Sequence, residues 1–205
     1  MSNRRGFIKS TSIASLGLIS INQSLYPFNG FRSRKIKISL MPGTVGINVN
    51  ANELLDLAIK NNFNSIYPII NDLKKMNALE YIEYENKMSK NSISFDISIL
   101  PVDFSQSDTI FNQGLEVLKD YCIIMNRIGS KGFCRWIMPT NNNLTYLQNF
   151  ELHKKRLKEC AKIIGDNGMQ LGLEFVGPKT LMTRDQFSFI RTITELRELI
   201  TEIDE

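Results

Sequence analysis

A single acidic side chain lies at the end of one of the most apolar segments of the chain. Residues 171–180 read Leu-Gly-Leu-Glu-Phe-Val-Gly-Pro-Lys-Thr, and the acid is Glu174. Alternation along a strand places this acid on the same face as Gln170 and Gly172. The opposite, apolar face consists of Met169, Leu171, Leu173 and Phe175. A carboxylate at the carboxyl end of a parallel strand lies where barrel and doubly wound enzymes carry out their chemistry. The pattern therefore predicts either a functional acid or a buried acid paired with a cation, because a bare buried charge is unfavourable.

Four other side chains could bind a substrate. Arg135 and Lys179 could contact an anionic group of the substrate or could instead neutralise the acid, and the sequence leaves both interpretations open. Trp136 could stack against a sugar ring, although a lone tryptophan in a strand usually belongs to the core. His153, the only histidine, follows Asn149 by one helical turn. A packing or hydrogen-bonding role is the favoured interpretation of this histidine.

The basic residues are concentrated at the amino terminus. The formal net charge is +4, but residues 1–35 contain six basic residues and no acid, which leaves 19 basic and 21 acidic residues in the rest of the chain. The body of the protein is therefore slightly acidic. We expect no nucleic-acid partner, because such a partner requires clustered lysine and arginine on one face.

The cysteines are Cys122, Cys134 and Cys160. Their odd number and wide spacing argue against a metal knuckle and against a disulfide framework. We expect all three to be small, buried apolar side chains.

The first 35 residues resemble an export signal followed by a linker. Arg4 and Arg5 precede an uncharged, serine-rich apolar run from Ser10 to Leu25, in a pattern similar to a twin-arginine signal. The run is too short and too polar for a stable transmembrane helix. We expect a periplasmic or otherwise exported protein, whereas a disordered basic tail in place of a signal would leave the protein in the cytoplasm.

From residue 36 onward, predicted strands and helices alternate through five successive βα units. The predicted strands are residues 36–41, 63–68, 93–100, 133–138 and 169–175. The predicted helices lie at 53–61, from Asp72 onward, at about 115–129, at 146–166 and at 193–203. Asn50 or Asn52 is expected to cap the first helix. The second is expected to be one long amphipathic helix that buries Leu73, Met76, Leu79 and Ile82.

Repeated βαβ crossovers predict a parallel sheet covered by helices. Five units could form a complete doubly wound domain, or five of the eight units of a TIM barrel, which needs about 250 residues. The first turn, residues 41–46, lacks the G-x-G-x-x-G pattern of a dinucleotide-binding fold, and the chain ends directly after a predicted helix. We therefore predict an α/β fold in which residues 36–205 form the amino-terminal part of an incomplete TIM-type (β/α) barrel.

Several segments together resemble the xylose-isomerase-like barrel family, which includes sugar phosphate isomerases/epimerases and endonucleases of the AP-endonuclease-2 type. The segments are LPVDF at 100–104, RWIMP at 135–139, NFELHKKRL at 149–157 and, above all, LGLEFVGPKT at 171–180. The likeness runs from about residue 36 to the end of the chain and is densest between residues 100 and 180.

The resemblance implies a divalent metal site. In that family the glutamate that ends the fifth strand is a metal ligand, which implies a metal-binding and catalytic role for Glu174. Family members complete the site with an Asp, a His and a second Glu from later strands, and one carboxylate cannot satisfy an ion that wants about six donors. We expect the ion to be Mn, Mg, Co or Zn, the remaining ligands to lie beyond residue 205, and the chain to be a fragment or a truncated product. Tyr67 departs from the family, since many relatives carry a glutamate there.

These observations lead to three functional hypotheses. The leading one is an exported, metal-dependent isomerase or epimerase of a sugar or related polyhydroxy carbonyl compound, in which Glu174 binds the metal and moves a proton alpha to the carbonyl. The alternative is a metal-dependent phosphodiesterase of the endonuclease type, against which the single histidine and the acidic body argue. The third is a non-catalytic, incomplete barrel whose unpaired strand edges would favour homo-oligomers.

Overall fold

A computed structural model describes residues 36–204, so the export signal and linker predicted for residues 1–35 lie outside the described residues. The strands in the described range are β1 (Ser39–Leu40), β2 (Ser65–Ile66), β3 (Ser94–Phe95), β4 (Ser98–Ile99), β5 (Gly132–Ile137), β6 (Thr140–Asn141), β7 (Gln170–Phe175) and β8 (Phe187–Ser188). The α-helices are α1 (Ala51–Lys60), α2 (Ile70–Lys75), α3 (Ala78–Lys90), α4 (Asp108–Arg127), α5 (Tyr146–Asp166), α6 (Lys179–Met182) and α7 (Ile193–Asp204).

The parallel strands follow one another in space in the order in which they occur in the chain. β1, β2 and β3 form one run of parallel pairs, and β4, β5 and β7 form a second. Only residues 96 and 97 separate β3 from β4, and together these two strands occupy the position of the single strand predicted at 93–100. The predicted alternation of five strands with helices is therefore confirmed, and it forms a barrel wall of neighbouring parallel strands.

The helix ends follow local sequence signals. Asn50 caps α1 through a reciprocal capping box with Glu53, which decides between the two asparagines considered as caps. α5 spans the predicted residues 146–166, and Gly168 follows it with a φ of 70°, a conformation that glycine adopts without strain. Within the described range, no helix combines the length and apolarity that a membrane span requires.

The single long helix predicted from Asp72 onward is wrong, because the chain forms two helices there. Asn77 accepts hydrogen bonds from the backbone of Leu79 and Glu80 and starts α3 anew. Asp72 accepts a hydrogen bond from the backbone nitrogen of Ala51. Because α3 is a separate helix, its buried face is not the predicted one. Tyr84 and Met88 are buried, whereas Leu79 and Ile82 are 65% and 52% exposed.

The core lies between the strands and the helices that cover them. Cys122 and Cys160 are fully buried, as expected, and burial raises the pKa of their thiols to about 11 and about 12. Cys134 is only half-buried, so the expectation for this cysteine is wrong. It lies on the face of β5 that pairs with Gly172, where the neighbouring strand offers no side chain to cover it.

The longest pairing in the sheet joins β5 to β7 over six residue pairs, from Gly132 beside Gln170 to Ile137 beside Phe175. A Cβ atom at Gly132 would overlap the carbonyl oxygen of Gln170 and lie 2.9 Å from its backbone nitrogen. Only glycine allows the two backbones to approach this closely. The pairing of β5 with β7 can therefore begin at this position only because residue 132 is a glycine.

We expect Gly132→Ala to lower the free energy of unfolding by more than about 4 kcal/mol, because the methyl group meets rigid backbone rather than a movable side chain. Gly165→Ala is the matched control. Gly165 lies exposed in α5 with free space around its Cβ position, and the change should raise helix stability by up to about 1 kcal/mol. Urea unfolding followed by circular dichroism measures both, and equal stabilities of the two variants would contradict the proposed role of Gly132.

Candidate functional site

Glu174 lies at the carboxyl end of β7, on the face predicted from the alternation of the strand. Gln170, Gly172 and Glu174 are exposed, while the intervening residues pack against the core. Glu174 pairs in register with Trp136 of β5, whose side chain is 40% exposed. The interpretation of Trp136 as a core residue is therefore wrong. In a TIM barrel the carboxyl ends of the strands form the face that carries the active site.

The interpretation of Glu174 as a buried, charge-paired acid is also wrong. Its side chain is exposed. The ion pairs among residues 36–204 join other residues, and none connects Glu174 to Arg135 or Lys179. An exposed carboxylate that no neighbouring cation neutralises remains available to a ligand or a proton.

Two adjoining concave regions surround this strand end. A depression of about 250 Å³ contains Glu174 together with Trp136, Met138, Val176 and Leu181. A second region of about 340 Å³, called the cleft below, shares Trp136 and Met138 with the depression and extends toward α5. The shared side chains make the two regions neighbours.

One wall of the cleft is the loop of residues 103–106, and a buried arginine holds it. Arg156, only 5% exposed, donates to the carbonyl oxygens of Phe104 at 2.9 Å and Gln106 at 2.6 Å. It also donates to the carboxylate of Asp108 at 2.7 Å, and this hydrogen bond lowers the pKa of Asp108. A guanidinium group offers several donors in a fixed plane and can therefore fix several acceptors at once.

The opposite wall is a short antiparallel pair, β6 and β8, fastened by Asp185. The carboxylate of Asp185 accepts from Thr140 Oγ1 at 2.7 Å and from Asn142 Nδ2 at 3.2 Å. It also pairs with Arg184 at 2.9 Å, and the hydrogen bond from this arginine is the main reason that the pKa of Asp185 is lowered. These contacts connect the segments that follow β5 and β7 across the cleft.

His153 and Asn149 of α5 line the inner part of the cleft. His153 is 4% exposed and packs between the rings of Phe104 and Phe189, with centroid distances of 5.0 and 4.8 Å. Its Nδ1 lies 2.8 Å from the carbonyl oxygen of Asn149. Burial lowers the pKa of His153 to about 4, so the ring is neutral at physiological pH. The favoured packing and hydrogen-bonding role of His153 is confirmed, and a role in substrate binding stays a prediction.

The two candidate cations differ in position. The guanidinium of Arg135 lies over the ring of Trp136, 4.5 Å from its centroid, and lines the cleft. Lys179 is exposed at the start of α6 and lines neither the cleft nor the depression. The structure therefore brings Arg135, Trp136 and His153 to one cleft beside Glu174, and leaves Lys179 outside it.

The residues described do not form a metal site on their own. Among residues 36–204, no group of three or more His, Cys, Asp or Glu side chains is close enough to hold an ion. Glu174 supplies one carboxylate, and a divalent cation such as Mg²⁺ or Zn²⁺ needs at least three protein ligands or several further oxygen donors. We therefore derive no chemical step through a metal from these residues.

Sequence reasoning did not find several residues that shape the cleft. Asp185 and Thr140 are 45 positions apart, and no local pattern connects them. Tyr67, which departs from the family pattern, lies outside the cleft, and its hydroxyl is 3.3 Å from Ser98 Oγ. The sequence singles out Asn149 only because it lies one helical turn before His153. The periodicity of α5, which puts both residues on one face, was the single signal available for it.

Comparison with known proteins extends the description of the fold. No protein-family model matches the sequence, and no curated protein matches it. Solved structures do match. A xylose isomerase domain protein from Alicyclobacillus acidocaldarius has a TM-score of 0.69 at 19% identity, covering 82% of this chain and 60% of that one. The IolI protein with a bound zinc atom has a TM-score of 0.63 at 18% identity, covering 83% and 60%. An L-ribulose 3-epimerase has a TM-score of 0.59 at 15% identity, covering 82% and 57%.

These neighbours are xylose-isomerase-like TIM barrels, and the chain has their fold. The predicted resemblance and fold class are therefore confirmed. The chain spans about 60% of the length of the matched structures, which agrees with a barrel of which this chain supplies part. At these identities the comparisons establish the fold.

The lowered pKa of His153 predicts how stability changes with pH. The unfolded histidine titrates near 6.5 and the folded one near 4. Between these values the unfolded state binds a proton that the folded state does not. The free energy of unfolding should therefore fall as the pH drops from about 6.5 to about 4, by up to about 3 kcal/mol from this group.

His153→Phe keeps an aromatic ring between Phe104 and Phe189 but removes the titrating group. We expect the variant to lose less stability than the wild type between pH 7 and pH 4.5, as measured by urea unfolding. Titration of the wild-type ring by NMR gives its pKa directly. A midpoint near 6.5, or equal stability losses in both proteins, would contradict the buried, neutral state.

Proposed function

We propose that this protein is an isomerase or epimerase of a sugar or a related polyhydroxy carbonyl compound, with Glu174 as the catalytic carboxylate. The observation that carries the proposal is the position of Glu174, which is an exposed, unpaired acid at the carboxyl end of a barrel strand, beside Trp136. A carboxylate in this position can remove and return a proton alpha to a carbonyl group. The aromatic ring offers an apolar surface for the face of a sugar.

The neighbours in structure support this class of reaction. They include an L-ribulose 3-epimerase and a D-psicose 3-epimerase. In ribulose and psicose, the hydrogen next to the carbonyl carbon is acidic enough for a carboxylate base to remove. The acidic balance of the body and its single histidine offer no comparable support for the endonuclease alternative.

Metal dependence is part of the proposal. The IolI neighbour carries a zinc atom, and Glu174 is the residue of this chain that would contribute a ligand. The other ligands would come from outside residues 36–204. The contribution of the residues described here is to orient the sugar and to hold and move the proton at the carboxylate.

We also propose that the protein is exported and that the unpaired edge of its sheet is covered by another strand. The twin-arginine-like pattern at residues 1–35 supports export to the periplasm. The outer edge of β7 has no strand partner among residues 36–204. An unpaired edge favours association with another strand, which supports a homo-oligomer or completion by further residues of the same protein.

The test begins with the protein isolated from its native host, whose intact mass shows whether the polypeptide exceeds 205 residues. Incubation with D-fructose or L-ribulose in deuterated water should place deuterium next to the carbonyl carbon, as seen by NMR. Glu174→Gln should reduce this exchange at least about 100-fold, the usual contribution of general acid–base catalysis. Elemental analysis should show that the variant also binds less divalent metal.

Glu198→Gln is the matched control, because Glu198 is an exposed acid on α7 that lies outside both concave regions. In metal-free samples both variants should unfold at the wild-type temperature, since both acids are exposed in the structure. Exchange and metal content that are unchanged in Glu174→Gln would refute the assignment. Exchange lost equally in both variants would show a general defect rather than a catalytic role.

A further inference from the structure

The outer edge of β7 carries a row of unpaired backbone groups. Parallel pairing uses alternate residues of a strand, and the backbone nitrogen of Gln170 donates to the carbonyl oxygen of Lys131. Every second residue of β7, beginning with Gln170, therefore bonds to β5. The residues between them each direct one N–H and one C=O group away from β5. They are Leu171, Leu173 and Phe175, and no strand among residues 36–204 pairs with them on that side.

This edge is long enough to act as a template for another strand. β7 has six residues, whereas β1, at the end of the other run of parallel strands, has two. Natural proteins often protect an exposed edge with lysine or proline, because an open row of donors and acceptors pairs readily with a second chain. Residues 170–175 contain neither of these residue types.

The helix beside this edge exposes apolar side chains toward the same side. α7 packs against α5 and β7, and Glu202 of α7 contacts Lys154 of α5 at 3.4 Å. Ile193 and Ile200, 57% and 37% exposed, lie about 160–180° around the helix from Glu202. They therefore point away from α5. Because a right-handed connection carries α7 past β7, this apolar flank lies on the side of the open edge.

The strand is complementary to a second copy of itself. In an antiparallel pair centred on Leu173, this residue faces its own copy and Leu171 faces Phe175, so that each outward N–H and C=O group of the strand finds a partner. On the other face, Gly172 then lies opposite Glu174. The acid meets a residue without a side chain, whereas a pair centred on Glu174 would place two acids opposite each other.

We propose that the protein forms a two-fold symmetric dimer, in which β7 pairs antiparallel with β7 of a second copy and the two α7 helices pack together through Ile193 and Ile200. Such an interface uses the same surface twice and closes, so it does not propagate into fibres. It covers the open edge and the apolar flank together. The inference narrows the covering strand proposed above to that of a second copy, and it does not depend on the catalytic role of Glu174.

Sedimentation of the intact protein tests the dimer. The wild type should sediment with twice the mass that one polypeptide shows under denaturing conditions. Ile200→Glu should raise the dissociation constant of the dimer at least about tenfold, because it places an unpaired charge in the interface. Ile123→Glu is the matched control, since Ile123 is 65% exposed on α4, and it should leave the dissociation constant unchanged.

Two substitutions at Gly172 test the register. A Cβ atom at this position makes only ordinary contacts, the nearest at 3.7 Å from the carbonyl oxygen of Phe133, so a side chain fits the single copy. In the dimer, Gly172→Lys places a cation opposite Glu174 of the partner subunit, and Gly172→Glu places a second acid there. The dissociation constant of Gly172→Glu should exceed that of Gly172→Lys at least about tenfold. Equal values would overturn this pairing.

A monomeric wild type would overturn the dimer, whether further residues of a longer polypeptide cover the edge or nothing does. A complex with a different polypeptide, or a dimer that Ile200→Glu does not weaken, would overturn it too. The outcome can be separated from that of the proposed function. A dimer without deuterium exchange would support the interface and refute the isomerase, and exchange by a monomer would do the reverse.

Discussion

The close approach of β5 and β7 is the constraint on which the rest of the site depends. The six paired residues fix the two strands relative to each other, and the absence of a side chain at Gly132 allows the pairing to begin. A shift of one residue would turn every side chain to the other face of the sheet. The same register that buries Phe133 and Ile137 therefore places Trp136 beside Glu174 at the carboxyl end of the strands.

Hydrogen bonds from two polar side chains hold the loops that form the cleft at that strand end. Arg156 fixes the loop after β4 through two backbone carbonyl oxygens, and Asp185 fastens the segment after β7 to the segment after β5. Loops carry binding residues in barrel proteins, and their geometry must be held by contacts of this kind. Neither Arg156 nor Asp185 needs to touch a ligand in order to determine the shape of the space that the ligand occupies.

The electrostatic character of the site follows from which groups find partners. The cations and acids of the cleft wall balance one another, and burial keeps His153 neutral. Glu174, by contrast, is an exposed acid. The charges that line the cleft therefore balance, whereas Glu174 adds a negative charge beside it.

The sequence by itself determined the order of the five βα units, the bounds of α5 and the face of β7 on which Glu174 lies. These features depend on interactions between residues a few positions apart, such as the capping box of Asn50 and Glu53 and the alternation along β7. The exposure of Glu174, Trp136 and Leu79 was not predictable, because it depends on which distant element covers each side chain. The tertiary structure alone brought Thr140 to Asp185 and Arg156 to Phe104, across 45 and 52 positions of sequence. Such contacts depend on how whole elements pack together, and local patterns contain no information about that packing.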